Sequence, residues 1–153
     1  MRQNGTTSAL RLLRTTRPDP IHVGVDIVSI SEVAESLERF GERYIRRVFT
    51  AREASYCRAA TGSAVASRFA ARFAAKEAVL KALRPNGSAI DWRSIEVCRH
   101  PSGWCDVVLH GRAASLATRR GINRIALSMS HDDSSATAVV VMQSAACVHH
   151  REQ

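Results

Sequence analysis

Lysine is scarce in this chain: only two of its 22 basic residues are lysines, Lys76 and Lys81, and the rest are arginines. In so arginine-rich a background each lysine calls for its own explanation. Aromatic residues make up 5% of the chain and are not interleaved with the arginines, which argues against a base-stacking platform for single-stranded nucleic acid. The four cysteines, Cys57, Cys98, Cys105 and Cys147, form no CxxC pair and have no zinc-like spacing with the histidines. A reduced set is therefore expected in place of a disulfide framework or a metal knot, and with it a cytoplasmic protein. No apolar run approaches the roughly 18 to 20 residues of a membrane span, so solubility is expected. No P-loop, kinase glycine loop, GxGxxG or GxSxG is present, so the common nucleotide folds and serine hydrolases receive no support. Internal repeats and low-complexity segments are also lacking.

What the chain has in excess is positive charge, +8 with a pI near 10.3. Such a charge favours a polyanionic partner. On charge alone, a small basic nucleic-acid-binding module without catalytic activity is one reading. At 153 residues a single domain is expected. Residues 1–20 carry Arg2, Arg11, Arg14 and Arg17 against the single acid Asp19, a composition that superficially resembles a transit peptide and is read as a flexible basic N-terminal arm. Pro18 and Pro20 mark its boundary, residues 21–143 form the folded domain, and 144–153 a loose tail.

The strongest local signal is the stretch 63–83, free of glycine and proline and rich in alanine, leucine, lysine and glutamate, which predicts a long helix. At about 100° per residue, Val65, Phe69, Phe73, Leu80 and Leu83 form its core stripe, with Glu77 and Lys81 one turn apart at the border. As an isolated pair these two are an ordinary helical ion pair.

Residues 21–28 are nearly continuous in apolar residues, the pattern of a central, buried strand. Asp26 interrupts it. A buried acid is costly unless paired or bound to a cation, so Asp26 is either a cap for a nearby element or a functional carboxylate. Ser31 is expected to cap a helix running to residue 39, and 42–49 a further amphipathic segment. Thr50-Ala51-Arg52-Glu53 has the form of a capping box opening a helix over 51–60. Arg39, Arg43, Arg46 and Arg47 recur at spacings of three and four, predicting one basic face, either solvated or docked on an acidic partner. Residues 84–88 break the chain, 94–99 and 104–110 read as a hairpin, and 112–120 as a helix stopped by Gly121. Strands at 124–130 and 136–142 flank the turn 131–135. Without strict alternation of strand and helix, the class expected is α+β, a mainly antiparallel sheet packed against the long central helix.

Asp26 and Glu77, from separate elements, offer hard oxygens of the kind that magnesium shares with substrate phosphates, and Lys81 adds positive charge for a phosphate. His131 is a phosphate contact, a general acid, or simply a hydrogen-bonded turn residue.

The motifs Gly24-Val25-Asp26-Ile27-Val28, Arg39-Phe40 through Val48-Phe49-Thr50, Ala71-Arg72-Phe73-Ala74-Ala75-Lys76-Glu77-Ala78 with Lys81-Ala82, and Ser128-Met129-Ser130-His131-Asp132 follow in this order. Together they resemble the holo-acyl-carrier-protein synthases, the short trimeric type of 4′-phosphopantetheinyl transferase. The resemblance covers roughly residues 23–142 and implies transfer of 4′-phosphopantetheine from coenzyme A to a serine of apo acyl carrier protein, in fatty-acid or polyketide synthesis, with release of 3′,5′-ADP. It implies that Asp26 and Glu77 hold magnesium, that Lys81 contacts phosphates, and that Arg72 and His131 bind phosphates of coenzyme A. Glu77 or a metal-bound water would take the serine proton. It also implies a homotrimer with interfacial active sites, and it makes the arginines at 39, 43, 46 and 47 candidates for docking the carrier. The chain departs from the family pattern at Glu32, where a docking arginine is common, and at residues 84–87, where a glycine-rich turn is common.

Overall fold

The computed structural model describes residues 21–87 and 89–145; the expected arm at 1–20 and the tail beyond 145 lie outside the described residues. Strand β1 (Ile21–Ser29) leads into helices α1 (Ile30–Val48), α2 (Ala51–Arg58) and α3 (Ala64–Leu83). The hairpin β2 (Ile95–Arg99) and β3 (Cys105–Leu109), helix α4 (Gly111–Arg119), and strands β4 (Ile122–His131) and β5 (Ser135–Ser144) follow. The three-stranded sheet has the order β1-β5-β4 and is antiparallel throughout, while β2 and β3 form a second, two-stranded sheet. The long helix α3 packs across β1 and β5, so the expected α+β architecture holds.

The strand expected at the centre of the sheet is instead its edge. The central strand is β5, with Ala136, Ala138, Val140 and Met142 fully buried against α3. In β1 the alternate residues Ile21, Val23, Val25 and Ile27 point away from α3 and are 51% to 70% exposed. Its continuous apolar run reflects a second apolar face of the sheet and not a central position, because successive side chains of a strand point to opposite faces.

Gly24 faces inward, and a Cβ there would stand 1.8 Å from the Ala78 carbonyl oxygen and 2.9 Å from the Ala82 nitrogen. Backbone therefore meets backbone where β1 crosses α3. The helix side of the contact is equally small: Ala74, Ala75, Ala78 and Ala82 are fully buried. The expected stripe understated this burial. Phe69 and Leu83 are in the core, but Val65, Phe73 and Leu80 are only half-buried, and the alanines carry the closest contact.

Ser29, not Ser31, caps α1: its hydroxyl accepts from the Glu32 N–H at 3.4 Å, and Ser31 lies within the first turn. At Gly41 the backbone turns to φ 49°, ψ −128°, a left-handed φ that glycine tolerates, and this break divides α1 into its two segments. The capping box at Thr50 and Glu53 forms as expected, with Glu53 N–H donating to Thr50 Oγ1 at 3.2 Å and Thr50 N–H to Glu53 Oε2 at 2.8 Å.

Glu53 does more than cap. Its carboxylate also accepts from the Val97 N–H at 2.9 Å and pairs with Lys76 at 2.9 Å, both side chains fully buried. Lys76 donates further to the carbonyls of Trp92, at 3.0 Å, and Ile95. An ammonium has three protons, and here each has an acceptor. Burial lowers the Lys76 pKa against the opposing pull of Glu53. One of the two lysines singled out by composition is thus a buried tie between α3, α2 and β2. At the other end of α3, Arg120 donates to the carbonyls of Leu83 and Arg84, satisfying acceptors that a helix C-terminus leaves open.

Candidate active site

The close approach at Gly24 fixes what lies beside it. Two residues on, Asp26 points to the same face of β1 and meets the last turns of α3. Its side chain is 14% exposed, and Lys81 Nζ donates to Asp26 Oδ1 at 2.7 Å and to the Val25 carbonyl at 3.0 Å. The acid therefore caps no helix; its partner is the lysine. Glu77, one turn before Lys81, is half-buried and makes no hydrogen bond or ion pair among the described residues. Burial first, then the negative charge of Asp26, raises its pKa, with Lys81 opposing. Hydrogen bonding to Asp26 in turn raises the pKa of Lys81. Two carboxylates and one ammonium thus converge at an open edge of the sheet. Among the described residues, no cluster of three or more His, Cys, Asp or Glu side chains is arranged to hold a metal.

Arg72 and His131 belong to a different place. Arg72 lies five residues before Glu77, roughly 140° around α3, and so faces away from the carboxylates. It lines a pocket of about 350 Å³ at the β4 edge with His131, Tyr56, Arg68, Arg99 and Trp104. The Arg72 guanidinium stands 4.1 Å from the Tyr56 ring centre, Arg68 4.6 Å and Arg99 5.9 Å. Arg72 is 3% exposed and its Nε has no hydrogen-bond partner. A buried cation with an unpaired donor, in a pocket with two more arginines, suits an anion. Sequence reading found Arg72 but not Tyr56, Arg68, Arg99 or Trp104. The spacing of four between Arg68 and Arg72 was the available signal.

His131 is exposed and ends β4, paired in register with Ala136, and so is not the turn residue expected. The turn is made by Asp132, whose carboxylate accepts from the Ser134 and Ser135 N–H groups, each at 2.8 Å, contacts that lower its pKa. The register places Asp26 and Met129 on either side of Ala138, so the carboxylate cluster and the arginine pocket occupy opposite edges of one sheet.

Arg39, Arg43, Arg46 and Arg47 are all exposed. They do not form the single face expected, because the Gly41 break intervenes. Arg43, Arg46 and Arg47 line one groove with Phe40, Asp91 and Arg93, while Arg39 stacks on Phe40 before the break. Glu42 partly neutralises Arg46, at 3.6 Å, and also pairs with Arg58.

Residues 22–140 match the family model of the 4′-phosphopantetheinyl transferase superfamily. The chain belongs to that superfamily. A holo-[acyl-carrier-protein] synthase of Koribacter versatilis is 40% identical over 121 residues, spanning 78% of this chain and 95% of the relative. One from Paramagnetospirillum magneticum is 43% identical over 127 residues, 80% of this chain and 95% of the relative. Among solved structures, an ACPS–CoA complex from Chronobacterium ammoniagenes superposes with a TM-score of 0.72 at 30% identity, covering 84% of this chain and all of the other. The transferase is thus an enzyme with the fold of its relatives.

Proposed function

We propose that this transferase moves 4′-phosphopantetheine from coenzyme A to a serine of an apo acyl carrier protein in the cytoplasm, serving fatty-acid or polyketide synthesis. The observation that carries this reading is the convergence of Asp26, Glu77 and Lys81 beside the Gly24 crossing. In the reaction the serine Oγ forms a bond to the β-phosphorus of coenzyme A and the bond from that phosphorus to the bridging oxygen breaks. 3′,5′-ADP leaves with the bridging electrons. The serine proton passes to Glu77 or to a water held at the site.

Asp26 and Glu77 would hold magnesium. Two carboxylates close enough for one to raise the other's pKa fit a hard cation. Bound there, magnesium would supply neutralisation of the pyrophosphate charge. Lys81 adds a point charge toward the same phosphates, and phosphoryl-type transfer depends mainly on such positioning and charge stabilisation. Arg72 and His131 would hold the phosphates on the adenosine side. Arg39, Arg43, Arg46 and Arg47 would dock the acidic carrier.

A homotrimer with interfacial active sites fits two features. Val23, Val25 and Ile27 of β1, with Val139 and Val141 of β5, leave a contiguous apolar outer face. The two halves of the site lie at opposite edges of the sheet, so one subunit's carboxylates can meet the next subunit's arginine pocket.

The test is to incubate the protein with coenzyme A, magnesium and a panel of apo carrier proteins and to weigh the carriers by mass spectrometry. A gain of one phosphopantetheinyl group on a carrier serine is expected. No gain on any carrier would overturn the reading.

A further inference from the structure

Trp104 stands out in the β2–β3 hairpin: it is 51% exposed, in a chain with two tryptophans. A large aromatic left half in solvent at the rim of a cationic pocket is more informative than one buried in a core. Its ring is held in place. The His100 imidazole stacks on one face, with ring centres 4.4 Å apart and planes inclined by 16°. His100 is held in turn by Ser102, whose hydroxyl lies 2.6 Å and backbone N–H 3.3 Å from Nδ1. The turn closes by hydrogen bonds from His100 N–H to the Trp104 carbonyl at 2.8 Å and from Gly103 N–H to the His100 carbonyl at 2.9 Å. The backbone of Gly103, at φ 102°, is in the left-handed region that suits glycine.

One face of the indole is thus occupied by His100, while Trp104 also lines the pocket that holds Arg72, Arg68 and Arg99. A flat apolar ring beside converging guanidinium groups matches a heteroaromatic base that carries a phosphate on its sugar. We propose that Trp104, braced by His100, is the stacking wall for the purine base of the nucleotide whose phosphate Arg72 receives. This rests on the coenzyme A reading and adds a specificity-determining residue to it. The base would lie against the indole face not covered by His100, and the phosphate beside the guanidinium groups of Arg68, Arg72 and Arg99. Recognition would be selective for a large ring over a small one, because stacking scales with overlap.

The test measures binding of 3′,5′-ADP and of inorganic pyrophosphate to the full chain and to Trp104→Ala and Trp104→Phe, with thermal midpoints recorded for each. Trp104→Ala is expected to weaken 3′,5′-ADP by roughly 10-fold or more, the usual consequence of losing a base stack, and to leave pyrophosphate affinity unchanged. Trp104→Phe should recover most of the loss. In a Trp92→Phe background, where Trp104 is the sole tryptophan, its fluorescence should change as 3′,5′-ADP is added. Parental affinity in Trp104→Ala, equal losses for both probes, or a silent Trp104 would overturn the stacking role and leave the coenzyme A reading standing. Failure of the parent protein to bind 3′,5′-ADP would overturn both.

Discussion

Lys81 holds Asp26 across two elements, its ammonium 2.7 Å from one carboxylate oxygen while the lysine side chain stays 54% exposed. An ion pair to so exposed a lysine has little effect on stability, so on the proposed reading the value of this contact is in what it aims at. A guanidinium is a broad planar fork and an ammonium a compact point charge, so the proposed phosphate contact suits lysine better than arginine here. Lys81→Arg is expected to leave the thermal midpoint unchanged and to lower turnover by about 10²-fold. The control is Arg119→Lys at the end of α4, which should match the parent in both.

Glu77 is held with a raised pKa, so the folded protein keeps its proton more tightly than the unfolded chain does. Stability linked to this group is fully present below the ordinary glutamate value of 4.5 and is lost as pH rises through the raised folded value. Glu77→Gln should therefore raise the thermal midpoint near pH 7, bring no gain near pH 4, and lose transfer at both. Direct titration of the protein without added magnesium gives a second check. The Glu77 carboxyl, followed by NMR, should titrate above the ordinary carboxylate range, and in Lys81→Met, which removes the opposing positive charge, higher still.

The Glu53–Lys76 pair makes a stability prediction independent of the chemistry. Lys76→Met leaves a buried carboxylate without its cation and should destabilise the fold by about 3 to 5 kcal/mol. Adding Glu53→Gln, which keeps an acceptor for the Val97 N–H and removes the charge, should restore much of that loss. Chemical denaturation of the single and double variants measures the difference.

Much of this arrangement could be read in the residues themselves. The composition of α3, the capping box at Thr50, the hairpin turn at Pro101-Ser102-Gly103 and the stop at Gly121 are local signals, and local physics decides them. Asp26, Glu77 and Lys81 were nameable because a charge in an apolar strand and a lysine in an arginine background are both anomalies. The position of β1 was not legible. A strand that is apolar on both faces reads as central whether its second face meets this chain's core or another surface. The division of labour between the two lysines was equally hidden, since it depends on Glu53 and on the carbonyls of Trp92 and Ile95, which the fold brings to Lys76 from separate elements. The break at Gly41 matches the division expected between the segment ending at residue 39 and the one over 42–49, but its effect on the four arginines was hidden, since helical spacing carries no information on the change of direction across a break.

Carrier docking through exposed arginines has a salt signature. Charges at the surface are screened over a Debye length of about 8 Å at physiological ionic strength. The KM for carrier should rise with added salt and with Arg43→Glu, while the KM for coenzyme A moves much less. An equal rise in both would remove these arginines from docking.

The most direct measurement of the central claim is carrier modification, followed by mass, for the parent and for Asp26→Asn, with magnesium and with excess chelator. Asparagine keeps the size of the side chain and an acceptor for Lys81, so the fold should hold, as a thermal midpoint will show. The parent should charge the carrier only with magnesium, and Asp26→Asn should fail to charge it under either condition. Near-parental transfer by Asp26→Asn, or undiminished transfer by the parent in chelator, would contradict the account.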